Sequence, residues 1–183
     1  MKSIRTWHHQ VREYFLQKML KKIELRRQPV TYNSAQTIGI LFDATELDDR
    51  EQVIEFSKSL QAKDKKVKLL GFFNSKQLVD NFPFSGFNKS DVDWLMRPKG
   101  EAVKNFMDTT FDMLIGIYKG SNLPLEYIAA LSKAHLRVGP YTDNTYCYDL
   151  MIDAGKNNLE NFIEQMEFYL KRLNSNKHET AAI

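Results

Sequence analysis

Residues 37–49 read TIGILFDATELDD, an almost continuous run of β-forming apolar residues that ends abruptly in small polar and acidic ones. An apolar stretch without alternation, bounded by polar residues, is the pattern of a strand covered on both faces. Asp48 or Asp49 with Glu51 or Gln52 then supplies a helix start signal. Val53, Ile54, Phe56 and Leu60 keep one apolar face as far as about Lys63. A buried strand followed directly by an amphipathic helix is the opening unit of a parallel sheet with helices on both sides.

Moving outward, the unit repeats. VKLLGFF (67–73) reads as a second strand, 101–109 as a helix, DMLIGIY (112–118) as a buried strand, and 125–134 as a helix begun by Pro124. Residues 74–100 are punctuated by Pro83, Gly86, Pro98 and Gly100, and only a short helical turn or short strand over 90–95 can be read there. Leu136–Val138 and Tyr146–Ile152 read as neighbouring strands joined by a polar turn at Thr142, Asp143 and Asn144, which predicts an antiparallel edge. A last helix over 159–173 places Phe162, Ile163, Met166, Tyr169, Leu170 and Leu173 at core spacing. The expected fold is α/β, a three-layer and mostly parallel Rossmann/flavodoxin-like sheet with an antiparallel edge, preceded by a long N-terminal basic helix. The expected organisation is an arm over 1–28, a linker over 29–35, an α/β domain over 36–173 and a loose tail over 174–183.

Charge sets the arm apart from the body. The 183 residues carry a net +3, but residues 1–28 hold eight cations, Lys2, Arg5, Arg12, Lys18, Lys21, Lys22, Arg26 and Arg27, against Glu13 and Glu24, a net +6. The remainder holds 18 basic and 21 acidic residues, a net −3. Clustered cations on a mildly acidic body fit a phosphate-rich partner, although a solvated helix face has the same composition. The arm lacks Pro and Gly from 3 to 27, and its apolar stripe shifts halfway. Ile4, Trp7, Val11, Tyr14 and Phe15 share one face, whereas Leu16, Met19, Leu20 and Ile23 lie on a rotated one. Such a helix docks one half on its own domain and offers the other half to a partner, or pairs with a second copy.

In open parallel sheets, ligands bind beyond the carboxyl ends of the strands, where strand order reverses. The residues expected there are Asp43, Thr45 and Glu46, then Asn74 and Ser75, Gly120, Ser121 and Asn122, and Gly139 and Tyr141. Asp43, Thr45, Ser121, Asn122 and Tyr141 form the candidate pocket, although Asp, Asn, Ser and Gly also serve as ordinary helix caps and turns. The first strand is followed by neither a Gly-rich dinucleotide turn nor a Walker A sequence. ILFDAT resembles the nucleophile strand of haloacid-dehalogenase-like phosphatases, but only in the apolar run and Asp43. That family carries a second Asp where this chain has Thr45, and a Gly-Thr pair where it has Glu46 and Leu47. His8, His9, His135 and His178 have no ligand spacing, and the lone Cys147 provides neither a disulfide framework nor a multi-cysteine zinc site. No catalytic residue, metal site or cofactor is expected, and the expected compartment is the reducing cytoplasm.

The stretches TIGILFDAT, VKLLGFF, FDMLIGIY, LRVGPY and YDLMID resemble an uncharacterised Bacteroidota family of small α/β proteins with a basic N-terminal helix. The resemblance implies the fold and brings no activity or site residue with it. The leading expectation is a non-enzymatic binding protein, RNA- or ribosome-associated through the basic helix. Two alternatives are a small-molecule or phosphate-ligand enzyme using the strand-end pocket around Asp43, and a peripheral membrane protein anchored by the same helix. A homo-oligomer formed through that helix is a further expected partner, and no run of apolar residues is long enough for a transmembrane segment.

Overall fold

Six short apolar segments find their hydrogen-bond partners in one another. In the computed structural model, which describes residues 11, 12, 14–21, 27–76, 82–153 and 159–179, they are β1 (Thr37–Asp43), β2 (Lys66–Phe73), β3 (Ser85–Asn88), β4 (Met113–Ile117), β5 (Leu136–Pro140) and β6 (Leu150–Ile152). The sheet order is β3-β2-β1-β4-β5-β6. Every neighbouring pair is parallel. This is the doubly wound order of dinucleotide-binding sheets. Among the described residues, the helices α1 (Leu47–Gln61), α2 (Glu101–Met107), α3 (Leu123–Leu131) and α4 (Leu159–Glu179) accompany the strands.

The period-2 geometry of a strand divides its side chains between two cores. Ile38, Ile40, Phe42, Met113, Ile115 and Ile117 pack with Val53, Phe56 and Leu60 of α1 and with Phe162, Met166 and Leu170 of α4. Leu41, Leu70, Phe72 and Leu114 face the other way, into a core shared with α2, α3 and Leu16 of the N-terminal segment. Two apolar cores flanking one sheet make the three-layer architecture. Each fully buried Leu, Ile or Phe contributes about 1.5–3 kcal/mol relative to exposure.

The antiparallel edge expected from the sequence is not formed, because β6 runs parallel to β5, with Val138 opposite Leu150 and Pro140 opposite Ile152. The apolar run Tyr146–Tyr148 is a crossover rather than a strand. After Pro140 the chain travels back along the sheet, turning at 145–147, so that Asp149 N donates to Arg137 O at 2.8 Å before β6 begins. Tyr148 crosses the sheet face and lies against Gly116 of β4 and Gly139 of β5, where a Cβ on either glycine would run into its ring. Aromatic content made this crossover look like a strand; its side chains are buried against the sheet face instead of within the sheet.

The stretch from 74 to 100 contains β3 and a 3-10 turn, Lys89–Asp91, closed by a reciprocal cap between Asn88 and Asp91. The last helix extends to Glu179, past the Leu173 end expected for it. Of the expected N-terminal helix, residues 11, 12 and 14–20 are helical, residue 21 is a turn and residues 27 and 28 are not helical, and the rest of that expectation lies outside the described residues.

Candidate functional site

Strand order reverses between β1 and β4, so the ends of these two strands frame the crevice in which a doubly wound sheet binds ligands. Asp43 closes β1. Its Oδ1 accepts a hydrogen bond from Thr45 N at 3.0 Å, and its Oδ2 accepts one from Asn122 Nδ2 at 3.1 Å across the crevice. Asn122 is also the N-cap of α3, its Oδ1 accepting from Leu125 N at 3.4 Å. Thr45 Oγ1 accepts from Asn74 N at 2.9 Å, which draws the end of β2 into the same set. Three of the five pocket residues are therefore joined, each bonded to loop or cap groups.

Ser121 joins through a residue not singled out by sequence reasoning. Its Oγ donates to Glu126 Oε1 at 2.9 Å, as do Asn122 N at 3.2 Å and Thr142 Oγ1 at 3.2 Å, and Asn144 Nδ2 donates to Oε2. Glu126 is only 2% exposed. It lies in the first turn of α3, where the helix dipole favours an anion. A Glu four residues after an N-cap Asn was the available signal, but first-turn acids are too common on solvated helices to single this one out. Tyr141, the fifth pocket residue, extends from the end of β5 with 59% of its surface exposed. Entry of a polar ligand at Asp43 or Glu126 would require displacing bonds that the strand ends make with one another.

Behind this rim, Tyr118 and Tyr148 share a buried hydrogen bond of 2.7 Å between their hydroxyls. Burial, together with the adjacent phenol, pushes the Tyr118 hydroxyl well above its ordinary pKa; burial likewise raises that of Tyr148. Neither tyrosine ionises near neutrality, so the pair serves as a polar tie within the core. A buried guanidinium performs a similar task at the other end of α3. Arg137 Nη1 donates to the carbonyls of Ala130 (3.1 Å) and Tyr146 (3.0 Å), while Nη2 reaches Asp149 at 2.9 Å. Burial alone would raise the Asp149 carboxyl, but the Arg137 and Arg27 guanidiniums outweigh it and hold it below the usual range.

The arm residues are distributed unevenly. Leu16 is buried in the α2–α3 core and Leu20 packs against it, while Tyr127 OH contacts Met19 Sδ at 3.0 Å. Tyr14 (63%) and Phe15 (38%) face solvent, as do Lys18 and Lys21. Leu16 and Leu20 of the rotated stripe therefore moor the segment, while Tyr14 and Phe15 of the first stripe are outward. Arg12 is half-buried in a narrow cleft with Leu16, Glu126 and Asn144. Arg27 bonds to Asp149 and so fastens the root of the arm to the β5–β6 crossover. Lys2, Arg5, Lys22 and Arg26 lie outside the described residues.

Beside the moored segment, a groove of about 730 Å³ runs between Met19, the 98–100 loop, α2 and Tyr127. Its polar lining is mixed, with Lys99 and Lys104 alongside Glu101, Asn105 and Asp108. No group of three or more His, Cys, Asp or Glu among the described residues is arranged to hold a metal ion. No helix among them is long and apolar enough to cross a membrane.

No curated protein and no solved structure matches the chain. A model of a family of unknown function, DUF6913, matches residues 9–173, from within the arm to the end of the expected α/β domain. The chain belongs to that family.

Proposed function

We propose that this protein is a non-enzymatic binding protein that docks on RNA, such as that of the ribosome, through its N-terminal basic segment. The observation that carries this reading is the division of labour along one short helical stretch. Leu16 and Leu20 hold it to the body while Tyr14, Phe15, Lys18 and Lys21 face outward. Cations placed beside exposed rings suit phosphate contact combined with base stacking. The strand-end crevice supports the same reading, since Asp43, Thr45, Ser121 and Asn122 are bonded within the rim.

The test is equilibrium binding of the full chain to ribosomal RNA over a series of salt concentrations. Affinity should fall steeply as salt rises, with each lost phosphate contact lowering the log–log slope by about 0.7–0.9. The double variant Lys18→Glu/Lys21→Glu should bind more weakly and with a shallower slope. Binding indifferent to salt, or unchanged in that variant, would overturn the reading.

A further inference from the structure

The last helix is longer than the sheet it covers. With 21 residues α4 runs about 30 Å, whereas β2, the longest strand described, spans eight residues or about 26 Å. Its inward stripe shows where the body ends. Phe162, Met166 and Leu170 are buried, but Leu173, next on the same face, is 55% exposed, and Tyr169 is 48% exposed. The apolar spacing of the helix thus continues where the body no longer covers it. On the outer side, Phe168 is 55% exposed.

Charge along this helix is ordered around Phe168. Glu160 and Glu164 precede it at steps of four and Arg172 follows at the same step, so the four exposed side chains form one ridge. The helix dipole favours acids in the first turn and cations in the last. That accounts for Glu160, but Glu164 and Arg172 lie more than a turn from either end of Leu159–Glu179. The Phe168 ring meets Tyr169 edge-on with centroids 5.5 Å apart, and the Arg172 guanidinium lies 5.8 Å from its centroid. A guanidinium has five donors and stacks through its face, so Arg172 accommodates a carboxylate together with its partners within its own chain.

Such a ridge is complementary to its own reverse. In an interface with two-fold symmetry, residue i of one chain meets j of the other, and j meets i. With the axis at Phe168, the two Phe168 rings meet, and Glu164, four residues before, meets Arg172, four residues after, on both sides of the axis. Parallel pairing would set acid against acid. Ridges of four-residue spacing on two helices interdigitate in the commonest class of helix packing. The face of the sheet that α4 covers is opposite the one that holds Leu16, so this pairing leaves the N-terminal segments of both chains uncovered.

We propose that α4 is a self-association surface, on which a second copy of the chain pairs antiparallel through the Glu164–Phe168–Arg172 ridge with Tyr169 beside it. The pairing is independent of RNA binding. A contact with one central aromatic anchor belongs among the smaller interfaces, so dissociation in the micromolar range is expected.

The test is sedimentation velocity of the full chain over a series of concentrations. The mass should rise from one chain towards two through the micromolar range. Phe168→Ala should weaken pairing about 30-fold or more, the loss for a central aromatic anchor. Glu164→Arg and Arg172→Glu each bring like charges together across the axis, and each alone should remain monomeric. Mixed in equal amounts, these two variants should associate again, because every Arg of one chain then meets a Glu of the other. Recovery on mixing cannot come from a folding defect, and the melting temperature of each variant should stay close to that of the parent.

A chain that sediments as a monomer throughout the micromolar range would overturn the proposal, as would a dimer unchanged in Phe168→Ala. Charge variants that dissociate but do not recover on mixing would overturn the antiparallel register. A dimer insensitive to all three changes and lost in Tyr14→Ala/Phe15→Ala would assign self-association to the N-terminal segment instead.

Discussion

Arg137 carries a charge into the interior. Its side chain is 7% exposed, and it is tolerated because Asp149 faces it and backbone carbonyls take up its remaining hydrogens. Removing one member of such a pair strands the other. Asp149→Ala should therefore cost about 3 kcal/mol in urea-induced unfolding. Asp149, like Asp93, Asp112 and Glu167, is also held below its ordinary pKa. For Asp112, burial opposes ionisation, but the Thr37 and Gln36 amides and the Thr37 hydroxyl that donate to it prevail. A depressed folded pKa contributes stability that is present above the unfolded value, about 4 for these groups, and is lost as pH falls through the folded one. The melting temperature should accordingly hold from neutrality down to about pH 5 and then fall steeply. Asp112→Asn should flatten the acid limb, as seen in melting curves recorded across that range.

At the scale of elements, helix starts were readable in sequence to the extent that the chain itself supplies the cap. Pro124 marked the start of α3, and in the structure Asn122, read from sequence as a pocket residue, is its cap. Because Asn122 also ties Asp43, Asn122→Ala should lower stability by about 1–2 kcal/mol, the value of a cap plus one hydrogen bond. Thermal melting of that variant is the direct check. The buried strands β1, β2 and β4 were legible because an unbroken apolar run bounded by polar residues has few other uses. Strand β3 was not, because SGFN is four residues long with a single apolar side chain. It is recruited by its neighbour, with Phe87 packing on Phe72 at 5.0 Å between ring centroids. The misread edge has a related cause. Local β-propensity at Tyr146–Tyr148 was overridden by tertiary contacts that no window of sequence displays, namely the glycine floor under Tyr148 and the Arg137–Asp149 pair.

For the whole molecule, the separation of charge was legible by counting, since cations concentrated in one segment require no contact map. How that segment sits on the body was only half legible. The shift in the apolar stripe indicated two faces, but not that Arg27 would be taken by Asp149 or that Arg97 would lie over Phe15. These are contacts between residues 82 to 122 positions apart, and nothing local announces them. The Arg27 contact also predicts how the arm couples to the fold. Arg27→Ala, which unfastens the arm's root, should lower global stability only modestly, by about 1 kcal/mol or less for a partly exposed pair. In the same variant, amide hydrogen exchange near residue 27 and in the 141–149 crossover should accelerate. Unchanged exchange at both places would show that the pair contributes nothing to the attachment.

The ring of Tyr148 lies over Gly116 and Gly139, residues on two different strands, while its hydroxyl completes a bond to Tyr118. Heritable change is constrained accordingly: a larger residue at either glycine is admissible only in a lineage that has already reduced the side chain at 148, and that reduction leaves the Tyr118 hydroxyl needing a new partner. Four positions spread over 33 residues of sequence therefore drift as one, and a substitution harmless in one member of the family becomes damaging when moved alone into another.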